Sequence, residues 1–342
     1  MGIAECPHPS VWLSFSDGSK VSLPVEPGET VLDAALKAGA PVLYQCRSGA
    51  CSTCVAQLVE GSAEMQSGTS SALLQSEVAE GQRLLCRTQV SADCGFSLGY
   101  DSTAGSGKPR KVLAFIDAVE RIAEDAVRLV LELAEGENLP FKSGQYVQVT
   151  VPGTDQKRSY SIASPPSALP RLEMLIRLLP GGVMSSWLTG AAKRDDVLEI
   201  EGAFGSFFLA EKDPRPHVMV AGGTGLAPMM AMIDTIRERP GRKPPILLSF
   251  GCASERGLFF REAIELREFW LPSLDARISI ERGEPGEGVH MGNPVEALDA
   301  VDPASVAYLC GPAGLIEAAR VRLESFGVSP ENIHSEQFVA SE

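Results

Sequence analysis

The sequence predicts a multidomain protein of mixed α+β and α/β class: a β-grasp module, an antiparallel β-barrel and a doubly wound parallel sheet. Three observations predict it. A cysteine-rich loop sits among short alternating strands in the first hundred residues. A series of short strands between turn signals follows, the pattern of a barrel. The last third changes period, to continuous apolar runs alternating with helical stretches, as buried parallel strands require. A chain of 342 residues is long enough for two or three such units, each burying its own core.

The first unit is expected over residues 10–96. Val11–Ser16 alternates apolar and polar, and Asp17-Gly18 is a hairpin signal before Val21–Val25. Thr30 caps a short helix through Leu32, Ala35 and Leu36, ended by Gly39. The cysteine loop comes next, then Val55–Glu60 as a strand closed by Gly61. Residues 97–110 read as a flexible linker, because Gly99–Lys111 is small, polar and without periodicity. Strands at Lys111–Asp117, Ala126–Leu133, Gln145–Val151 and Leu172–Leu178 place the barrel at 111–210. Charge and two prolines cluster at Ala210–Pro216, the start of a third unit at 211–342. Its strands are expected at Val218–Ala221, Ile246–Gly251, Arg277–Ile280 and Val306–Cys310. Helices are expected at Pro228–Arg239, Leu258–Trp270, Pro294–Ala300 and Ala313–Phe326.

A net charge of −14 argues against nucleic acid or an anionic membrane surface as a partner. The longest uncharged run, His217–Ile233, is broken by glycines and Pro228, too short to span a bilayer. Cys6, Cys94, Cys252 and Cys310 stand singly and far apart, and no signal pattern opens the chain. A cytoplasmic monomer is the expectation. Ten acids against five bases in the first hundred residues suit steered docking to a basic patch on a protein partner, and equally suit a merely solvated acidic surface.

Cys46, Cys51 and Cys54 have the spacing Cys-x4-Cys-x2-Cys, and Cys86 follows with 31 residues between. This is the plant-type [2Fe–2S] spacing. A Cys-x2-Cys alone would also suit zinc or a redox dithiol, but zinc sites take two well-separated pairs. Small residues at Gly49, Ala50, Ser52 and Thr53 let backbone N–H groups approach the sulfurs. Further on, Gly222-Gly223-Thr224-Gly225 ends a strand and opens a helix, an arrangement suited to a pyrophosphate. The Lys-Ser/Thr of a triphosphatase loop is missing. Arg158-Ser159-Tyr160-Ser161 could clamp a flavin phosphate, stack on its ring and bond near N5. Taken alone, it equally reads as a strand-edge arginine and a core tyrosine.

The order of these motifs, closed by Cys310-Gly311-Pro312, resembles the ferredoxin–NADP reductase superfamily. With the cysteine loop in front, residues 10–340 resemble the reductase components of bacterial aromatic-ring-hydroxylating dioxygenases, the benzoate dioxygenase type. That resemblance implies a [2Fe–2S] ferredoxin domain, an FAD domain and an NAD(P)H domain. It implies FAD held by Arg158, Ser159, Tyr160 and Ser161, with its pyrophosphate at the turn Gly182, Val183, Met184 and Ser185. It further implies the dinucleotide on Gly222–Gly225, with Cys310, Gly311 and Pro312 beside the nicotinamide. Cys310 and Ser161 are the implied catalytic residues, and Phe338, in Glu336-Gln337-Phe338, is implied near the rings. Ala203 stands where relatives often carry proline, which leaves the turn before Gly205 looser. Glu255 would accept from an adenosine 2′-hydroxyl and Arg256 would favour a 2′-phosphate, so NADH is favoured over NADPH.

A nicotinamide gives two electrons as hydride, a [2Fe–2S] cluster accepts one, and a flavin converts between them. The expected route is NADH to FAD to cluster to a separate terminal oxygenase, since four scattered histidines are too few for an oxygenase iron site. The acceptor implied is a Rieske non-haem iron dioxygenase. Alternatives are a di-iron monooxygenase acceptor, or a redox sensor whose cluster reports rather than transfers.

Overall fold

The computed structural model describes residues 8–66, 72–106, 109–210 and 212–338. Cys6, and Gly107 and Lys108 of the expected linker, lie outside the described residues. The chain divides into two compact units, Met1–Pro109 with Phe204–Ser206, and Arg110–Ala203 with Phe207–Glu342.

In the first unit the strands are β1 (Ser10–Phe15), β2 (Lys20–Pro24), β3 (Val55–Glu60), β4 (Glu64–Met65), β5 (Gln82–Leu84), β6 (Thr88–Gln89) and β7 (Cys94–Leu98). Two helices join them, α1 (Val31–Lys37) and α2 (Gln75–Ala79). The sheet order β2-β1-β7-β3-β5 has β1 and β7 parallel at its centre, the β-grasp arrangement. Alternation in β1 buries Val11, Leu13 and Phe15 on one face. Thr30 caps α1 as expected, its hydroxyl accepting the Asp33 N–H. Gly95 carries no side chain because the Trp12 ring lies where one would be, 2.2 Å from a β-carbon.

The stretch expected as a free linker begins differently. Residues 97–98 finish β7, and Tyr100 is buried with its hydroxyl accepting the Leu43 N–H at 2.9 Å. Asp17 accepts both the amide and the hydroxyl of Ser102, at 3.0 and 2.7 Å. Composition hid this, because one aromatic anchor and one aspartate dock a segment that is otherwise polar and small.

The second unit begins with an antiparallel sheet of β8 (Arg110–Ala123), β9 (Ala126–Leu133), β10 (Tyr146–Thr150), β11 (Lys157–Ser161), β12 (Arg171–Arg177) and β13 (Val197–Phe204). Its order is β11-β10-β13-β8-β9-β12, and a bridge between Ile162 and Met174 joins the two edges into a barrel. A short helix, α3 (Val183–Gly190), covers one end. Val147, Leu129, Leu172 and Ile200 are among the fully buried side chains that fill the interior.

The remaining strands are β14 (His217–Gly222), β15 (Ile246–Ser254), β16 (Leu274–Arg282), β17 (Val289–Met291), β18 (Val306–Gly311) and β19 (Ile333–Gln337). All pair in parallel, in the order β17-β16-β15-β14-β18-β19. The helices are α4 (Leu226–Glu238), α5 (Arg261–Trp270) and α6 (Ala313–Ser325). Strand order reverses between β14 and β18, which puts the ligand crevice of a doubly wound sheet at their carboxyl ends. The expected helix at Pro294–Ala300 does not form. Asn293 instead accepts the N–H groups of Val295 and Glu296 through its side chain, a local turn that competes with helix. No helix among the described residues is long and apolar enough to cross a membrane.

Tyr100→Phe keeps the buried ring but strands the Leu43 amide. It should lower the stability of the first unit by about 1–2 kcal/mol, read from the midpoint of its denaturant unfolding.

Candidate functional site

Cys46, Cys51 and Cys54 lie on the loop between α1 and β3, and Cys86 lies in the single turn after β5. Pairing of Val55 with Leu84 brings these segments together, and the Leu85 N–H donates to the Cys54 carbonyl at 3.0 Å. The four thiols stand as two hydrogen-bonded pairs, Cys46 with Cys51 and Cys54 with Cys86. Because Cys51 donates to it, with Ser48 adding to the effect, the Cys46 thiol is drawn below its usual range. Cys54 likewise lowers Cys86, and both donors are raised. Backbone amides point at the sulfurs: Ser48 N–H reaches Cys46 Sγ at 3.4 Å, and Gly49 N–H is directed at Cys86. No three metal-binding side chains converge on one point among the described residues. Two thiol pairs with amides around them fit two irons, one per pair, rather than a single ion.

In the barrel, the β10–β11 hairpin sets Val147 opposite Tyr160 and Tyr146 opposite Ser161. Arg158 holds its guanidinium against Gln156 Oε1 at 2.7 Å and the Lys157 carbonyl at 3.0 Å. Ser159 is exposed. Tyr160 is half-buried against the barrel core, and burial raises its hydroxyl's pKa. Gly182 is the N-cap of α3, so Val183, Met184 and Ser185 form a first turn whose amides have no partner within the helix. The Ser185 hydroxyl accepts the Leu179 N–H at 2.8 Å, which fixes that turn. An arginine on β11 and, after β12, a helix start with free amides are groups of the kind that hold a phosphate.

Gly222–Gly225 links β14 to α4 by a tight turn. A β-carbon on Gly225 would lie 2.2 Å from the Cys310 carbonyl oxygen, and one on Gly222 would lie 2.6 Å from Leu315 Cδ2. The turn is therefore pressed onto the end of β18, where Gly311 and Pro312 lead into α6, and Thr224 sits between the two contacts. A dinucleotide pyrophosphate fits this cradle of small residues at a helix N-terminus.

Cys310 is fully buried and pairs in register with Glu336 on β19. Ser161, on the barrel, donates to Glu336 Oε2 at 3.2 Å. The structure thus joins Ser161 and Cys310, 149 residues apart in the numbering, around one carboxylate. Burial pushes Glu336 up to about 8, although the Ser161 hydrogen bond works against the shift. Burial, then Glu336, pushes the Cys310 thiol well above its usual range. Sequence reasoning missed Glu336. Its only signal was its place in the Glu-Gln-Phe ending, and attention there fell on Phe338. Phe338 donates its N–H to the Gly311 carbonyl at 3.2 Å, and the residue is 42% exposed. Glu255 and Arg256 form a single turn after β15. Glu255 pairs with Arg261 at 3.5 Å, and the Arg256 carbonyl accepts the Glu124 N–H at 3.0 Å.

Residues 14–91 match the family model for the 2Fe-2S iron-sulfur cluster binding domain. Residues 114–209 match the oxidoreductase FAD-binding domain, and 219–321 the oxidoreductase NAD-binding domain. The chain is 32% identical over 337 residues to the anthranilate 1,2-dioxygenase electron transfer component of Acinetobacter baylyi, covering 97% of this chain and 98% of that one. It is also 32% identical over 333 residues to the propane 2-monooxygenase reductase component of Gordonia sp., covering 94% and 95%. Among solved structures, the Amycolatopsis cytochrome P450 reductase GcoB aligns with a TM-score of 0.69 at 29% identity, over 96% of this chain and 98% of that one.

A carboxyl whose pKa rises from 4.5 to about 8 on folding binds a proton that the unfolded chain has released. Stability should therefore fall as pH climbs through that window and level off above it. Glu336→Gln should remove the fall, leaving the variant more stable than the parent by on the order of 2–4 kcal/mol at pH 8.5 and nearly equal at pH 5, by denaturant titration.

Proposed function

The chain belongs to the family of iron–sulfur flavoprotein reductases that carry a [2Fe–2S] cluster, FAD and a nicotinamide dinucleotide, and from that premise we propose that it passes electrons from NADH to a separate terminal oxygenase. The acceptor in this reading is a Rieske non-haem iron aromatic-ring dioxygenase. The observation that carries the redox part is the meeting of Ser161, Glu336 and Cys310 in one buried layer, where barrel and parallel sheet join. Identity to the anthranilate dioxygenase component along nearly the full length supports the acceptor.

The bound groups supply the redox chemistry, with hydride arriving at the flavin and single electrons leaving through the cluster. This chain's residues bind, orient and exclude water. Arg158 and the first turn of α3 would hold the flavin's phosphates, and the half-buried Tyr160 would pack against its ring. The Gly222–Gly225 turn, held against Cys310 and Leu315 at its two ends and open at Gly223, would receive the dinucleotide pyrophosphate at the start of α4. The fully buried Cys310 would close the floor of the crevice where a nicotinamide binds and keep water out. Glu336, near 8, carries its proton at neutral pH and fixes the Ser161 hydroxyl through Oε2. Glu255, steadied by Arg261, would meet the adenosine ribose and disfavour a 2′-phosphate. Every described cysteine is free, which supports a reducing cytoplasmic setting.

Equal identity to the propane 2-monooxygenase reductase component favours one second reading, a di-iron monooxygenase acceptor. Steady-state NADH consumption separates the two: a purified dioxygenase component should stimulate it, whereas stimulation only by a di-iron hydroxylase selects the second. A redox sensor would leave both acceptors without effect.

Cys51→Ser should abolish cytochrome c reduction while leaving NADH–ferricyanide activity largely intact. Parallel loss of both would mean that the cluster is not the exit. Comparison of kcat/KM should favour NADH over NADPH by at least about tenfold, the size of discrimination one charged contact gives. Glu255→Gln should narrow that ratio.

A further inference from the structure

Arg47, directly after the first cysteine of the loop, has φ 55°, a left-handed conformation that residues with a β-carbon rarely adopt. Its guanidinium is ion-paired with Asp33 Oδ1. The other Asp33 oxygen accepts the Thr30 hydroxyl at 2.7 Å, and the Asp33 amide donates back to Thr30 Oγ1 at 3.2 Å. Lys37, the neighbouring cation, is taken by Glu29 at 2.7 Å and Glu26 at 3.5 Å, so Asp33 is left to Arg47. The left-handed step at residue 47 reverses the chain, and the next amide, Ser48 N–H, reaches Cys46 Sγ at 3.4 Å. The helix cap, the ion pair and the sulfur hydrogen bond thus form one continuous chain of contacts.

We propose that Asp33 is a positioning residue for the electron outlet: by clasping Arg47 it holds the turn that keeps the Ser48 amide on Cys46 Sγ, and so raises the reduction potential of the cluster. The inference rests on the reading of Cys46 as a cluster ligand. An amide hydrogen bond to a ligand sulfur stabilises the more negative, reduced cluster, so its loss lowers the potential. Simple electrostatics predicts the reverse for Asp33, since deleting a nearby carboxylate favours an added electron and raises the potential. The two accounts therefore differ in sign.

The test is a potentiometric titration of the full chain, followed by the EPR signal of the reduced cluster. Asp33→Ala should lower the potential and alter the g-anisotropy. In an Arg47→Gly background the residue takes the left-handed conformation unaided. There the same Asp33→Ala change should raise the potential, because only the charge effect remains. A raised potential for Asp33→Ala alone, or the same shift in both backgrounds, overturns the proposal. Should Asp33→Ala fail to load its cluster, Thr30→Ala removes an anchor of Asp33 with no change of charge. A lowered potential then supports the clasp, and an unchanged one overturns it. A parent chain with no EPR-active cluster overturns the cysteine assignment beneath it, a separate result from a normal cluster with the wrong shift.

Discussion

The packing of Gly225 on the Cys310 carbonyl is the contact on which the rest of the second unit depends. A β-carbon at 225 would stand 2.2 Å from that oxygen, well inside any real approach. Because glycine occupies the site, β14 and β18 finish at the same level and the turn between β14 and α4 folds over the end of its neighbour. Gly311, at φ 155° and with its own β-carbon position 3.2 Å from the Gly222 amide nitrogen, completes the fit from the other side. One steric condition thereby places a helix start, a buried thiol and the neighbouring β19 in the same crevice. The chemistry follows from this packing. Glu336 is buried because β19 is driven against β18, and its pKa is high because it is buried.

The first unit solves its positioning problem by other means. Its cysteine loop has little regular structure, so sheet pairing reaches only two of the four sulfurs, through β3 and β5. The others are oriented by local turns, where the energetics are individually small. A half-exposed ion pair is worth little alone. Coupled to a helix cap and a left-handed residue, it can still decide which way an amide faces. In one unit geometry is fixed by burial, in the other by a short sequence of polar contacts near the surface.

These differences explain what could be read from the residues. The proposed cluster cysteines stand out in the sequence because three lie within nine residues, at the spacing of a plant-type [2Fe–2S] site. The barrel and the parallel sheet were legible from period, since strands buried on both faces read as unbroken apolar runs. Ser161 and Cys310 carried no signal of their own, and a resemblance had to supply their roles. Glu336 lies 175 positions from Ser161, and only the β18–β19 register brings it in, a fact no local pattern encodes. Pro294–Ala300 was misread as helix because its composition suits one, while the Asn293 side chain redirects the backbone. Gly99–Ser106 was misread as free chain because Tyr100 and Asp17, its two anchors, are single residues in an otherwise neutral context.

The position of β19 also has a bearing on biosynthesis. Synthesis runs from the amino end, so the cysteine loop, the barrel and the glycine turn leave the ribosome before Ile333–Gln337. A chain cut short between the end of α6 and Ile333 would keep the first unit and the barrel, yet lack the carboxylate that meets Ser161. Without β19, β18 becomes an open edge of the parallel sheet, so the layer around Ser161 and Cys310 is the last part of the second unit to be completed.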